Sequence, residues 1–316
     1  MLTIDAEALA ARLDRRALID ALDAAFRAPA EIPRREHYHV MSPSGPGGTL
    51  LLMPAWRSGG ALGVKIATVY PDNAARGLPA VAATYLLLDA ATGMPRALID
   101  GGELTLRRTG AASALASRYL SAPAASKLLM VGTGKLAPHL IESHAVVRPI
   151  REVRIWGRRI ERARSLAAAL SRQGLTVQAV DDLEAAVEWA DVLSCATLSH
   201  QPLVRGAWLR PGQHLDLVGA FNRDMCETDD AAIGRAELFV DTRAGALAEA
   251  GEILGAIERN VIGPSAIRAE LAELASGRFA RSDPRAITLF KSVGTALEDL
   301  AAAELALAAT EARPGS

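Results

Sequence analysis

The spacing of apolar and polar positions predicts a helix near the N-terminus, followed by a run of strands. Apolar residues recur at roughly helical spacing over 5–28, which predicts one helix there. Four β-like segments follow, reading TLLLMPA, ALGVKIATVY, VAATYLLLD and PRALID, with turns between them. Strands in direct succession favour a sheet with hairpin connections. From Glu103 to Leu120 the pattern becomes helical.

The pattern changes at Lys127, where strands and helices begin to alternate. KLLMVG is a short apolar strand, and a helix follows it through about Val147. EVRIWG, LTVQAV, ADVLSCA, HLDLVGA and AELFVD continue as strands, and an Ala-rich helix covers about 293–310. Such alternation is typical of a parallel sheet with crossover helices. The predicted class is α/β, with a Rossmann-type doubly wound parallel sheet and a smaller α+β domain.

Composition and charge exclude several classes of function. The formal net charge is −1 and aromatic residues make up 4%, so neither nucleic acid nor an anionic membrane is an expected partner. No uncharged apolar run reaches the ~18 residues of a membrane span, and the N-terminus lacks a signal-peptide core. We therefore expect a cytoplasmic protein. No His, Cys or carboxylate spacing indicates a metal site, and Glu227, Asp229 and Asp230 are typical of acids that begin a helix.

A glycine-rich turn after the KLLMV strand carries the main chemical signal. It has the form G-x-G-x-x-A and consists of Gly132, Thr133, Gly134, Lys135, Leu136 and Ala137. In such a turn the first glycine permits a tight bend, the second lets the backbone approach a diphosphate, and the small third residue permits helix–strand packing. A strand before and a helix after the turn favour a dinucleotide site at the helix N-terminus.

The end of the next strand bears on which dinucleotide binds. An NAD-binding protein is expected to carry an acid there for the ribose 2′-hydroxyl. This strand ends at Trp156 and is followed by Gly157, Arg158 and Arg159, without an acid. Guanidinium groups pair well with a phosphate. The sequence therefore favours NADP(H), and NAD(H) stays open as the alternative.

Lys65 is a charged residue inside the apolar strand LGVKIATV. An unpaired charge would be costly in the core that such a strand forms. An anionic ligand would be a suitable partner. An internal ion pair, or a lysine whose ammonium reaches solvent along its own stem, would explain the residue equally.

Several segments together resemble the ornithine cyclodeaminase/mu-crystallin family, in the right order and over nearly the whole chain. They are LLLMPAW, GVKIATVYPDNAARGLP, LLDAATGMPRALIDGGELTLRRTGAASALA, VGTGKLA, RPGQHLDLVGAF and LFKSVGTALEDLAAA. The resemblance implies a substrate-binding and dimerisation domain made of 1–120 and 293–316. It also implies a dinucleotide-binding Rossmann domain over 121–292, and a homodimer.

The resemblance further implies a clamp for the carboxylate of an amino-acid-like substrate. Lys65 and Arg108 match two of its basic positions, and Arg34, after Pro33, matches the third, with Arg35 as a neighbouring candidate. The cofactor contacts expected in addition to the two turns are Thr109, Ala196, Thr197, Val218 and Gly219. The resemblance also places the turn after Cys226, which holds Glu227, Asp229 and Asp230, near the nicotinamide.

The chain departs from the cyclodeaminase pattern at two acidic positions, which are occupied by Leu51 and Phe221. Acid–base work needs a titratable group within hydrogen-bond reach, and neither residue supplies one. We therefore expect an NADPH-dependent reductase of a cyclic imino acid such as Δ1-pyrroline-2-carboxylate or Δ1-piperideine-2-carboxylate, with Lys65 as the candidate acid. The alternatives are an ornithine cyclodeaminase, an alanine-type amino-acid dehydrogenase, and a non-catalytic NADPH-dependent binding protein.

Overall fold

The computed structural model describes residues 1–42, 45–171 and 175–312. The strands, in chain order, are β1 (Leu2–Ile4), β2 (Glu36–Ser42), β3 (Gly45–Trp56), β4 (Ala61–Val69), β5 (Val81–Asp89), β6 (Pro95–Asp100), β7 (Lys127–Val131), β8 (Glu152–Trp156), β9 (Thr176–Val180), β10 (Val192–Cys195), β11 (His214–Leu217), β12 (Glu237–Val240), β13 (Ile267–Glu270) and β14 (Thr288–Lys291). The helices are α1 (Ala6–Arg12), α2 (Arg15–Arg27), α3 (Gly101–Leu120), α4 (Leu136–Val147), α5 (Ile160–Ser171), α6 (Leu183–Trp189), α7 (Asp230–Arg235), α8 (Arg243–Glu249), α9 (Gly251–Glu258), α10 (Leu271–Ala275) and α11 (Ala296–Glu311).

The chain divides into two compact units. The first comprises Met1–Arg108 and Thr295–Ser316, and the second Thr109–Gly294. The first boundary therefore lies inside α3, whereas the sequence placed it after that helix, at residue 120. Positions 43–44 and 313–316 of the first predicted domain, and 172–174 of the second, lie outside the described residues.

The first unit is built on a six-stranded sheet with the order β1-β6-β5-β4-β3-β2. Strands β2 to β6 pair antiparallel with their neighbours, as hairpin connections require, and β1 pairs parallel with β6. Helix α11 packs against α2 and the central strands β3 to β5. Its many alanines keep side chains short where the helix meets the sheet, including the buried Ala301, Ala302 and Ala303.

Two parts of the N-terminal region differ from the sequence prediction. The single helix predicted over 5–28 is two helices, because the side chain of Asp14 accepts a hydrogen bond from the backbone N–H of Ala17 and starts α2 anew. Strand β2 was not predicted. Six of its seven residues are exposed, so it lacks the alternation of buried and exposed positions that marks a strand.

The second unit is built on an eight-stranded parallel sheet with the order β13-β12-β14-β11-β10-β7-β8-β9. From β9 to β14, this is the 3-2-1-4-5-6 order of dinucleotide-binding folds. The chain crosses back between β9 and β10, which creates a topological switch point between β7 and β10. Ligands of such sheets bind outside the carboxyl ends of the strands at this point. The predicted Rossmann-type α/β class is confirmed.

Candidate functional site

The glycine-rich turn follows β7 at the point where the strand order reverses, and its glycines have distinct physical roles. Gly132 has φ +125°, and a Cβ there would lie 2.5 Å from the carbonyl oxygen of Ala196. Only glycine fits such a conformation and such a close approach. Gly134 is exposed, and a Cβ there would meet nothing within 4 Å. Its backbone is thus open to an approaching ligand.

The first turn of α4 is suited to an anion. Lys135 is the N-cap residue and makes no side-chain capping hydrogen bond. In the first turn, Ala137 donates its N–H to the carbonyl oxygen of Gly134 at 3.1 Å, and Pro138 has no N–H. The backbone N–H of Leu136 is therefore the first-turn donor left for a ligand, at the positive end of a 12-residue helix. Ala137 is fully buried, which lets the helix pack close to the sheet. These features fit a dinucleotide diphosphate.

The turn after β8 lies against the glycine-rich turn. A Cβ on Gly157 would lie 2.7 Å from Cγ2 of Thr133, so the two turns are in direct contact. Arg158 and Arg159 follow on the surface, and both are exposed. The structure thus presents two guanidinium groups, and no acid, at the positions that follow this strand.

The loops after β10 and β11 complete this edge of the sheet. A Cβ on Gly219 would lie 2.1 Å from the carbonyl oxygen of Thr197 and 2.2 Å from its backbone nitrogen. Ala196, Thr197, Val218 and Gly219 are all half-buried. The structure therefore gathers these four predicted residues beside Gly132. Thr109 lies on α3, where it is buried, and its neighbour Gly110 packs against α4, since a Cβ there would lie 2.8 Å from the carbonyl oxygen of His139.

The turn after β11 is also held by Glu227, whose hydrogen bonds to the loops the sequence did not predict. Asp229 caps α7 by accepting a hydrogen bond from Ala232, as predicted for an acid at a helix start. Glu227 is not part of that cap. Its carboxylate accepts hydrogen bonds from the backbone N–H of Thr197 and of Gly219, at 2.6 and 2.7 Å. Burial raises the pKa of Glu227 to about 7, although the charge of Lys291 opposes the shift.

In the first unit, Lys65 forms a buried ion pair. The residue lies on β4, in register with Met53 of β3 and Tyr85 of β5. Its ammonium nitrogen is 2.7 Å from Oδ2 of Asp299 at the start of α11, and its side chain is 4% exposed. Of the explanations left open by the sequence, the structure shows an internal ion pair.

Arg108 on α3 is bound to the same carboxylate. Its Nε donates to Oδ1 of Asp299 at 3.0 Å, and its terminal nitrogen donates to Oε2 of Glu298 at 2.6 Å. Both carboxylates are fully buried. Sequence reasoning missed these two acids, although a Glu-Asp pair inside the apolar, Ala-rich start of α11 is an available signal.

The pKa of Lys65 is lowered from 10.5 to about 8. Burial is the largest cause, and the positive charges of Arg108 and Arg35 lower it further, while Asp299 raises it. Arg35 is half-buried, whereas the predicted Arg34 is exposed. The half-buried Arg35 is thus the arginine of this pair whose charge acts on the pKa of Lys65.

Leu51 lies close to Lys65 on the same face of the sheet. On β3, Met53 pairs with Lys65, so the two side chains lie on the same face of the sheet. Leu51 is two residues before Met53 and therefore lies on that face too. Phe221, after β11 in the second unit, is 43% exposed. Neither position offers a carboxylate for proton transfer.

The comparison with known proteins agrees with this architecture. The model of the ornithine cyclodeaminase/mu-crystallin family matches residues 3–311. The chain belongs to this family. Its relatives include a Δ1-pyrroline-2-carboxylate reductase of Paracoccus denitrificans, which is 40% identical over 257 residues, 81% of each chain. The rat ketimine reductase mu-crystallin is 36% identical and covers 82% of this chain and 79% of its own.

A solved structure of this family is similar over almost its full length. The Δ1-pyrroline-2-carboxylate reductase of Thermococcus litoralis, in complex with NADH and L-proline, has a TM-score of 0.93 and 34% identity. The match covers 99% of this chain and 98% of that one. The predicted family is confirmed.

Within 1–42, 45–171 and 175–312, no group of three or more His, Cys, Asp or Glu side chains is placed to hold a metal ion. No helix in the same part of the chain is long and apolar enough to cross a membrane.

Proposed function

We propose that this protein reduces the C=N bond of a cyclic imino acid, with a nicotinamide dinucleotide as the hydride donor. The observation that carries the proposal is the buried pair of cations, Lys65 and Arg108, in a family whose named relatives reduce pyrroline-2-carboxylate and ketimines. The open backbone at Gly134 and the uncapped start of α4 support dinucleotide binding. The product is an α-amino acid such as proline or pipecolate.

The residues of the first unit have two tasks in this proposal. Lys65 and Arg108 bind the substrate carboxylate, with Arg35 as the third cation. Asp299 and Glu298 are already present as counter-ions, which lets the cations stay buried without substrate. Leu51 offers an apolar contact to the methylene groups of the ring.

The chemistry requires one hydride and one proton. When bound, the nicotinamide supplies the hydride to the imine carbon. The ring nitrogen gains a proton, so that the C=N bond becomes a C–N single bond and the product is a neutral or protonated amine. Lys65 is our candidate for holding that proton. Its pKa of about 8 keeps it mainly protonated at neutral pH, yet close enough to neutrality to transfer a proton.

For the cofactor we propose a preference for NADP(H) over NAD(H). The exposed Arg158 and Arg159 support this, because they follow β8 at the place where an NAD-binding chain is expected to carry an acid. A charge-assisted pair with the 2′-phosphate is the physical basis. The double variant Arg158→Ala, Arg159→Ala should lose NADPH affinity while NADH affinity stays unchanged. Equal losses of affinity for NADPH and NADH would contradict the proposed role of the two arginines.

We also propose a homodimer. The face of the first sheet opposite α11 carries a continuous set of partly exposed apolar residues. They are Leu50, Leu52, Leu62, Val64, Ile66, Leu86, Leu88 and Leu98. A patch of this kind is typical of a protein–protein interface. Analytical ultracentrifugation tests it, since Ile66→Glu should shift a dimer to monomer.

The first functional test follows NADPH oxidation at its nicotinamide absorbance, with Δ1-pyrroline-2-carboxylate and Δ1-piperideine-2-carboxylate as substrates. A parallel reaction holds ornithine and NAD and is assayed for proline and ammonia. We expect rapid oxidation with the imines and no product from ornithine, because Leu51 and Phe221 supply no carboxylate. Proline from ornithine would contradict the proposal and establish a cyclodeaminase.

A variant then assigns the role of Lys65. Lys65→Ala should abolish imine reduction and leave cofactor affinity intact, since Lys65 lies in the first unit and the glycine-rich turn in the second. Thermal unfolding of the variant controls for the buried carboxylate left at Asp299. Normal kcat/KM in Lys65→Ala would refute the clamp.

A further inference from the structure

Glu227 is a fully buried carboxylate in the second unit that no step of the proposed chemistry uses. It receives three hydrogen bonds from two separate loops. One oxygen accepts from the backbone N–H and the hydroxyl of Thr197, at 2.6 and 2.8 Å. The other accepts from the backbone N–H of Gly219, at 2.7 Å. We call these three hydrogen bonds the Glu227 bridge.

The two bridged loops have a specific place in the fold. Thr197 follows β10 and Gly219 follows β11. In the strand order of this sheet, β7 to β9 form the first mononucleotide half, and β10, β11 and β14 form the second. The glycine-rich turn after β7 serves the diphosphate. The loops after β10 and β11 therefore face the half of the dinucleotide that carries the nicotinamide.

We propose that Glu227 is a positioning residue, which fixes the loops after β10 and β11 in the arrangement that receives the nicotinamide half of the cofactor. This inference rests on the proposed function, since it assumes a nicotinamide dinucleotide. Glu227 acts through Thr197 and Gly219 and not by touching the reacting atoms.

Gly219 packs closely against both Glu227 and Thr197. A Cβ on Gly219 would lie 2.5 Å from Oε1 of Glu227, in addition to its clash with Thr197. Glycine at 219 is thus what lets the carboxylate reach both loops. A carboxylate accepts several hydrogen bonds at once, which a buried amide or alcohol in its place cannot do with the same geometry.

The titratable groups around Glu227 come from three elements. Lys291 on β14 favours its ionised form, Glu252 on α9 opposes it, and the buried thiol of Cys195 lies on β10. Lys291 is itself paired with Glu252 at 3.3 Å, so that its charge is shared. Burial outweighs these effects and raises the pKa of Glu227 to about 7. Protonation below that pH removes acceptor capacity and should loosen the bridge.

The test compares the whole cofactor with a fragment that lacks nicotinamide. The probes are NADPH with 2′-phospho-ADP-ribose, or NADH with ADP-ribose, according to the preference of the wild type. In Glu227→Gln we expect affinity for the dinucleotide to fall about tenfold, as for loss of a charge-assisted hydrogen bond, with fragment affinity unchanged. We also expect kcat to fall, since the nicotinamide loses its fixed orientation.

Asp216→Asn is the matched control. Asp216 is also fully buried, on β11, but it contacts His144 and Ser194 and not the loops. This variant should not lower the affinity for the dinucleotide more than the affinity for the fragment.

The pH dependence gives a second test. The affinity of the wild type for the dinucleotide should weaken as pH falls through about 7, and Glu227→Gln should lose that dependence. If Glu227→Gln does not fold, Thr197→Val removes one of the three donors and should show the same selectivity, with a smaller loss.

The outcomes are distinct. Equal loss of dinucleotide and fragment affinity in Glu227→Gln, or loss of neither, overturns the inference and leaves the proposed function standing. A pH dependence that survives in Glu227→Gln also overturns it. A wild-type protein that binds neither dinucleotide and reduces no imine overturns the proposed function and the inference together.

Discussion

Asp299→Asn gives the sharpest test of the buried ion pair, because it removes one negative charge and preserves the shape of the side chain. The Lys65 ammonium lies 2.7 Å from the Asp299 carboxylate. An opposite charge at such a distance raises the pKa of an amine by about one to three units. Without it, burial and the charges of Arg108 and Arg35 all lower the pKa of Lys65, and the opposing effect of Asp299 is lost. We therefore expect the pKa of Lys65 to fall from about 8 to about 6.

The kinetic consequence follows from the protonated fraction of Lys65. At pH 7.5 a group of pKa about 8 is roughly three-quarters protonated, and one of pKa about 6 only about 3%. If the protonated lysine is required, kcat/KM for the imine at this pH should fall about 25-fold. The loss should shrink toward pH 6, because Lys65 regains its proton there.

The assay is the pH profile of kcat/KM, measured by NADPH oxidation in wild type, Asp299→Asn and Glu298→Gln. Glu298 is an equally buried carboxylate on the same helix, and it is bonded to Arg108 instead of Lys65. Glu298→Gln should keep the alkaline limb of the profile near pH 8. If Asp299→Asn lowers activity by the same factor at every pH, Asp299 does not control the protonation of Lys65, and the reasoning fails.

Three further predictions concern stability and the glycine-rich turn. Arg148 donates to the backbone carbonyls that end α3, so Arg148→Ala should lower the free energy of unfolding by about 3 kcal/mol in urea denaturation, and an unchanged midpoint would contradict this. Gly134→Val should abolish dinucleotide binding without lowering Tm, because its side chain would project into open space. Gly132→Ala should lower Tm instead, because φ is +125° and the methyl group would meet the Ala196 carbonyl.

The features that the sequence predicted well are local. Gly132, Gly134 and Ala137 can be assigned from their spacing, because each answers a requirement of one turn between one strand and one helix. The four hairpin strands after position 48 follow from apolar runs separated by turns. Such signals lie within about ten residues, where neighbouring side chains determine the backbone.

The features that the sequence did not predict depend on distant contacts. Arg108 and Asp299 are 191 residues apart, and nothing near either residue identifies the other. Lys65 could be recognised as a buried charge, but its partner could not. The resemblance favoured Arg34, because it follows Pro33, and only the fold shows that its neighbour Arg35 is the half-buried one. Glu227 was assigned to a helix start because Asp229, two residues later, gives that signal correctly.

The two buried groups with shifted pKa values together set the pH range in which the protein should work. Glu227 must be ionised to hold the loops after β10 and β11, which favours pH above about 7. Lys65 must be protonated, which favours pH below about 8. Because these two pKa values are about one unit apart, the profile of kcat/KM should be bell-shaped, with its maximum near pH 7.5. At that pH only about 60% of the molecules have Glu227 ionised and Lys65 protonated. Because the acid limb belongs to Glu227 and the alkaline limb to Lys65, Glu227→Gln should flatten the first and Asp299→Asn should displace the second. If Glu227→Gln changes the alkaline limb, or Asp299→Asn changes the acid limb, the assignment of these two groups is wrong.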